Sequence, residues 1–424
     1  VEVDPLDEKT ARVIVVDKTK DKRTSKLVRK DAIFDYVVNK TNNINLARYI
    51  DKALYYKERR ELAEEVLNAP LIEAKVDSVI WPRGLAEKYF FLTPAGWRKI
   101  YVDQESGEII FDAAEVEPPS WAPRAEELVN AVLHLPPGDR LDTDAVYHTD
   151  ELLNDVAQYI SAYVTMRREY VYTAATWALL TYARYATPYA EILLIRKAGF
   201  GSGGTTAAKV ISFASARPLA PMIFPSAASL FRIFHFTIPT VIIDELRSEV
   251  SQELVEVLKL VVESAFDAMN VTTRYEDKAI KIYRLYSNVI IVDTSFAMSN
   301  LSSERRSWIV KIERDPGRET NIHAALKDAR ELSRRLYAWG LTWPLVAKQY
   351  IEQYAWHQGL GALNALRSWL EARGVKSGIV ETAYEVVKRQ LSEAYEMAII
   401  TDPVRRIMAA VEEVVEEARR YMQD

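Results

Sequence analysis

The stretch RKAGFGSGGTTAAKVI, Arg196 to Ile211, decides how this chain is read. It has the parts of a phosphate-cradling loop. Such a loop needs a strand, glycines that let backbone N–H groups converge on phosphate, and a helix whose N-terminus adds partial positive charge. Leu193-Leu194-Ile195 supplies the strand, the glycines follow, and the pattern from Thr205 onward is helical. Against G-x-x-x-x-G-K-[ST], Ala198 replaces the first glycine and Gly203 matches the second. Gly204 stands where lysine belongs, and Thr205 matches the hydroxyl. Taken alone, the stretch also fits a purely structural glycine turn.

Two further apolar runs change that balance. TVIIDE (Thr240–Glu245) reads as a buried strand ending in two acids, the arrangement that holds magnesium and polarises an attacking water. NVIIVDTS (Asn288–Ser295) places Asp293 and Thr294 at the end of a third strand, where a polar group can meet a γ-phosphate. Arg305 and Arg306 then precede SWIVKI, a fourth apolar run. Read separately, the acids could be a helix cap and the arginines a solvated pair. Together, in this order and within alternating strand and helix patterns, they predict a parallel sheet covered by helices. The C-terminal ends of these strands should meet around one phosphate position.

Between the acidic strand and the third strand lies VTTRYEDKAIKIYRLY (Val271–Tyr286), which reads as a hairpin turning at Glu276-Asp277. Arg274, Lys278, Lys281 and Arg284 surround the turn, interleaved with tyrosines. Basic side chains of this kind grip nucleic-acid phosphates without reading sequence. The competing reading is a solvated hairpin whose charges protect a sheet edge.

The remaining sequence sets the frame. At 424 residues the chain exceeds one ordinary core. Residues 1–75 are charged and mostly helical in pattern, and 76–148 are β-rich with a proline-rich linker in EPPSWAPR and LPPGDR. Residues 149–320 hold the alternating elements, and 321–424 read as helical throughout, with breaks at Gly340, Gly359, Gly374 and Pro403. Helices are also expected over 46–67, 226–236 and 251–266. The absence of cysteine excludes disulfides, thiolate metal sites and cysteine nucleophiles, and five scattered histidines form no HxxxH pair. A net charge of −5 argues against a surface coated for nucleic acid while leaving room for a local basic path. No apolar run is long enough for a bilayer and no leader pattern opens the sequence, so the expectation is a cytoplasmic protein without a membrane partner.

Residues 170–315 resemble the ATPase module of plasmid- and phage-type replicative helicases, AAA+ relatives grouped with superfamily 3 and related to the MCM type. The resemblance rests on the helix before a Pro-Tyr strand entry, the glycine loop, Arg217-Pro218 after the next helix, SAASLFR, and PTVIIDE. It departs from that family at Ala198 and Gly204. It implies an α/β P-loop AAA+ fold with an N-terminal α+β region and an all-helical C-terminal domain. It further implies ATP and Mg2+ as cofactors, with Gly199, Gly201, Ser202, Gly203, Gly204, Thr205 and Thr206 around the phosphates. Thr205 and Asp244 would hold the metal, Glu245 would be the catalytic carboxylate, and Thr294 or Asp293 the sensor. Arg306 would reach a neighbouring subunit's nucleotide in a homo-oligomeric ring, a hexamer. The hairpin would project into the pore and hold single-stranded or forked DNA, in a replication system of plasmid, phage or archaeal-virus type.

The resemblance therefore implies an ATP-dependent DNA helicase or translocase. The alternatives are a non-hydrolysing DNA-binding or assembly subunit of the same fold, or an ATPase acting on proteins. Gly204 keeps these open, as a degenerate site or an engineered substitution. Lys197 and Lys209 are candidate substitutes for the missing lysine, Lys209 lying a turn along the helix and facing elsewhere. On the sequence alone, ATP should bind weakly and Gly204→Lys should strengthen binding and turnover.

Overall fold

The computed structural model describes residues 2–5, 10–17, 22–29, 71–73, 80–81, 85–113, 134–197, 203–219, 222–223, 238–246, 271–276, 279–284, 286–293, 307–313, 315, 317, 319–355, 357 and 359–401. The chain opens with three strands, β1 (Glu2–Pro5), β2 (Thr10–Asp17) and β3 (Lys22–Arg29), paired as an antiparallel meander. This corrects the helical expectation for the first part of residues 1–75; the helix expected over 46–67 lies outside the described residues, as do those over 226–236 and 251–266. Next come β4 (Leu71–Glu73) and a four-stranded antiparallel sheet of β5 (Ile80–Trp81), β6 (Lys88–Thr93), β7 (Gly96–Val102) and β8 (Ile109–Asp112). Its turns fall at Pro94-Ala95 and around Gly107, with Gly96 and Gly107 at positive φ.

Two helices, α1 (Thr149–Tyr163) and α2 (Arg168–Thr181), lead into the central sheet. Nearly every side chain of α2 from Val171 to Thr181 is buried, the pattern of a helix packed on all sides. The sheet itself is built from β9 (Ile192–Lys197), β10 (Met222–Ile223), β11 (Thr240–Leu246), β14 (Asn288–Asp293) and β15 (Ser307–Ile312), with α3 (Gly204–Phe213) following β9. Its order is β10-β11-β14-β9-β15, and every pairing is parallel. Ile192–Ile195, Val241–Ile243 and Val289–Val292 are buried without alternation, because a parallel sheet is covered on both faces. The hairpin strands β12 (Val271–Glu276) and β13 (Ala279–Arg284) are sheet neighbours joined by two residues, and β13 also neighbours β4.

Helices α4 (Ile322–Val346), α5 (Lys348–Tyr354), α6 (Gly361–Ala372) and α7 (Gly378–Thr401) fill the C-terminal part. Asn321 caps α4, its Oδ1 accepting from the Ala324 amide at 3.1 Å. Gly340 does not break this helix. A Cβ there would lie 2.4 Å from Tyr182 Cβ and 2.7 Å from the Tyr182 carbonyl, so glycine lets α4 approach the end of α2. LPPGDR is likewise no loose linker, because Arg98 Nε donates to the Gly138 carbonyl at 3.0 Å and Leu141 is buried. The described residues group into two compact units, Val1–Ile72 with Thr273–Lys281, and Glu73–Thr272 with Ile282–Asp424.

A buried ion pair fixes the N-terminal end of the central sheet. Arg184 donates to Glu191 at 2.6 Å, to Asn288 Oδ1 at 3.1 Å and to the Tyr189 carbonyl at 2.6 Å. Glu191 immediately precedes β9 and Asn288 begins β14, so one guanidinium ties two neighbouring strands. Burial opposes its charge, but Glu191 and Tyr286 outweigh burial and hold the Arg184 pKa above its ordinary value. Arg184→Met would leave Glu191 buried and unpaired. It is expected to lower stability by about 3–5 kcal/mol, with a much smaller loss in Arg184→Met/Glu191→Leu, read from urea midpoints.

His134 gives the fold a pH dependence. It is half-buried, with Nε2 2.9 Å from the Phe213 carbonyl and Nδ1 3.3 Å from the Tyr337 hydroxyl. Burial first, then Arg330 and Arg217, lower its pKa to about 4, against partial opposition from the Phe213 carbonyl. A neutral imidazole donating from Nε2 satisfies the carbonyl. The unfolded chain takes up this proton near pH 6.5 while the folded chain refuses it down to about 4. Stability is therefore fully present above pH 6.5 and falls as pH drops toward 4. His134→Gln should flatten that slope in denaturation midpoints measured across the window.

Candidate nucleotide site

Strand β9 carries Arg196 and Lys197 at its C-terminal end, and its neighbour β14 ends at Asp293, which pairs in register with Arg196. On the far side of β14 lies β11, ending in Asp244, Glu245 and Leu246. The acidic strand and the strand feeding the glycine loop thus share one sheet with a single strand between them. At ~4.8 Å per strand, their ends stand about 10 Å apart. From β9 the chain goes to β10 at one edge, whereas from β14 it crosses to β15 on the other side of β9. Such a reversal of order is where ligands settle beyond the carboxyl ends of parallel strands.

The pairing of β11 with β14 is irregular at the acids. Ile243 pairs with Ile291, and the next pair is Leu246 with Asp293. Two residues of β11, Asp244 and Glu245, therefore oppose Val292 alone. An extra residue of this kind re-aims side chains and interrupts the alternation of faces. Nothing in the sequence signals it, because a bulge depends on the partner strand. Asp244 is only 8% exposed, and its Oδ1 has no hydrogen-bond partner among the described residues. A buried carboxylate oxygen left in this state is costly.

Helix α3 begins at Gly204 and packs across β9, β11 and β14 through a face that includes Ala207, Ala208, Val210 and Ile211. Its N-cap, Gly203, sits at φ 82, a left-handed conformation that favours glycine. No side chain caps this end and no acid lies in the first turn. The first intrahelical bond at this end runs from the Ala207 amide to the Gly203 carbonyl at 2.8 Å. The amides of Gly204, Thr205 and Thr206 precede it and lie in the orphan positions of a helix start. Thr205 and Thr206 are half-buried, whereas Gly204 is fully covered.

Gly203, Gly204, Thr205, Thr206, Asp244, Glu245 and Asp293 thus belong to elements whose relevant ends meet at one edge of the sheet. For Glu245 and Asp293 the placement is that of the backbone. Gly199, Gly201, Ser202, Thr294, Lys278 and Arg306 lie outside the described residues. Arg274 falls in β12, and Lys281 and Arg284 in β13, again as backbone positions. Among the described residues no cluster of three or more His, Asp or Glu side chains forms a metal site. Any divalent ion at Asp244 would therefore need ligands from a hydroxyl, water or a bound phosphate.

No protein-family model matches this chain, and no curated protein matches it. Among solved structures it is similar to "SCCmec type IV Cch - active helicase", at 13% identity and a TM-score of 0.29, covering 97% of this chain and 79% of that one. Likeness at that level assigns neither fold nor activity. No helix among the described residues is long and apolar enough to cross a membrane.

Replacing a buried, unpartnered carboxylate with a neutral isostere removes an electrostatic penalty. Asp244→Asn is expected to raise the melting temperature measured without divalent ions, by a few degrees. If the site takes a magnesium nucleotide, Mg2+ with ATP should raise the melting temperature of the unsubstituted protein further and leave that of Asp244→Asn unchanged.

Proposed function

We propose that residues 149–320 form a P-loop ATPase module of the AAA+ type. In this reading the chain is a ring-forming, ATP-driven helicase or translocase on single-stranded or forked DNA, of the plasmid, phage or viral replication kind. The observation that carries this reading is Asp244. It is a buried carboxylate with a free oxygen at the C-terminal end of an apolar parallel strand, one strand away from β9.

The residues fit the cofactors the resemblance implies. The amides at the start of α3 that lack an intrahelical partner, with Gly201, Ser202 and Gly203, would receive phosphate oxygens. Thr205 and Asp244 would hold Mg2+, which supplies charge neutralisation between the phosphates when bound. Glu245 would accept the proton of an attacking water, and Asp293 or Thr294 would sense the γ-phosphate. Arg306 would act on a neighbour's nucleotide, making a ring, a hexamer, part of the site. The strands β12 and β13 would present Arg274, Lys278, Lys281 and Arg284 to DNA phosphates. Gly204 favours a second reading, a non-hydrolysing DNA-binding or assembly subunit on the same fold.

Turnover of ATP with and without single-stranded DNA separates these. Glu245→Gln should lower turnover by about 100-fold or more while ATP remains bound. Lys278→Glu/Lys281→Glu should remove DNA stimulation and leave DNA-free turnover in place. Arg306→Ala subunits mixed into unsubstituted rings should depress activity beyond their proportion. Folded protein that binds DNA yet turns over no ATP under any of these conditions establishes the second reading instead.

A further inference from the structure

Position 204 is not empty. A Cβ built on Gly204 would lie 2.3 Å from Lys197 Cε, 2.8 Å from its Cγ and 2.9 Å from its Cδ. Three carbons of the Lys197 side chain therefore fill the space into which a side chain at 204 would grow. The ammonium is one bond beyond Cε, the nearest of the three. We propose that Lys197, at the end of β9, is the phosphate-binding lysine of this site, delivered from the strand instead of from the helix. The proposal rests on the nucleotide-site reading above and supplies the group that reading lacks.

Three observations support it. First, Lys197 is the last residue of β9 and pairs in register with Ile312 of β15, so its backbone is held by the sheet. Its side chain is half-buried over α3, not extended into solvent. Second, Lys197 lies against the start of a helix. A helix N-terminus carries partial positive charge, and the first turn of α3 contains no acid. Lys197 forms no ion pair with any described residue, Asp244 included. An anion at the helix start would reverse the sign of that interaction for both the ammonium and the amides. Third, the glycine is accounted for. With Lys197 laid across it, a side chain at 204 would require the lysine to move aside, so glycine at 204 and this placement of Lys197 belong to one arrangement. Lys209, a turn further along α3, has no such placement.

Binding of ATP with Mg2+, measured by calorimetry on the full chain, tests this without requiring turnover. Lys197→Met keeps the aliphatic stem over Gly204 and removes only the ammonium; it should weaken binding by at least about tenfold. Lys197→Arg should stay near the unsubstituted value, and Lys209→Ala should match it. Gly204→Lys alone should gain little, since its side chain meets Lys197. Lys197→Ala/Gly204→Lys, which vacates the space and restores an ammonium from the helix, should recover binding. If Lys197→Met binds ATP as tightly as the unsubstituted protein while Asp244→Asn abolishes the Mg2+ dependence, the lysine assignment is overturned and the nucleotide site stands. If no protein in the set, unsubstituted chain included, binds ATP, both are overturned together.

Discussion

The pairing of β14 between β9 and β11 governs the geometry of the whole candidate site. Val289 to Val292 are fully buried, so this strand can occupy only a central place. Its insertion keeps the acidic strand from lying directly against the strand that feeds α3. Adjacent strands would bring the two ends within ~4.8 Å. One intervening strand doubles that spacing. At the opposite end, Arg184 clamps Glu191 to Asn288, so β9 and β14 cannot slide relative to each other. The register that sets Asp293 beside Arg196 is thus defended at the far end of the same two strands.

The central sheet was legible because its strands are short, uninterrupted apolar runs that stop at polar residues. Ile192–Ile195, Val241–Ile243, Val289–Val292 and Trp308–Val310 carry that signal without help from context. The N-terminal strands carried it only in part. Val13–Val16 is an apolar run of the same kind, but it sits among dense charges, and Lys22–Arg29 holds only Leu27-Val28 among charged and hydroxyl residues, so the local pattern reads as a charged helix. Gly340 misled for a different reason. In sequence a glycine inside a helical run looks like a stop, but Tyr182 approaches too closely for any other residue. Close approach between elements distant in sequence leaves no local trace.

The candidate site divides the same way. Gly203, Thr205, Asp244 and Asp293 stand out in the sequence because each falls at a strand or helix end with a recognisable residue type. The register shift at Asp244 and Glu245 was invisible, since it exists only relative to β14. Lys197 was visible as a residue and as a candidate, but not as an occupant of position 204. A linear pattern compares residues at matched positions, whereas a phosphate meets whichever ammonium occupies the volume. Seven positions separate Lys197 from Gly204 along the chain, yet the fold lays the lysine side chain where a Cβ at 204 would stand.

Charge placement gives the arrangement its functional sense. Lys197 lies at the positive end of α3, and Asp244 is buried with an unpartnered oxygen. The two do not neutralise each other, although both lie at the carboxyl edge of one sheet. A fold selected for stability alone would let them pair or replace them with apolar groups. If the proposed site is right, a metal-bound polyphosphate would answer both charges at once. Its oxygens answer the ammonium and the amides of α3, while its cation answers the carboxylate. A single anion without a metal would satisfy Lys197 and worsen the position of Asp244. A lone divalent cation would do the reverse. On the reading proposed above, the unpaired charges at this edge would favour the two bound together, which is the chemistry of a magnesium nucleotide and not of free phosphate.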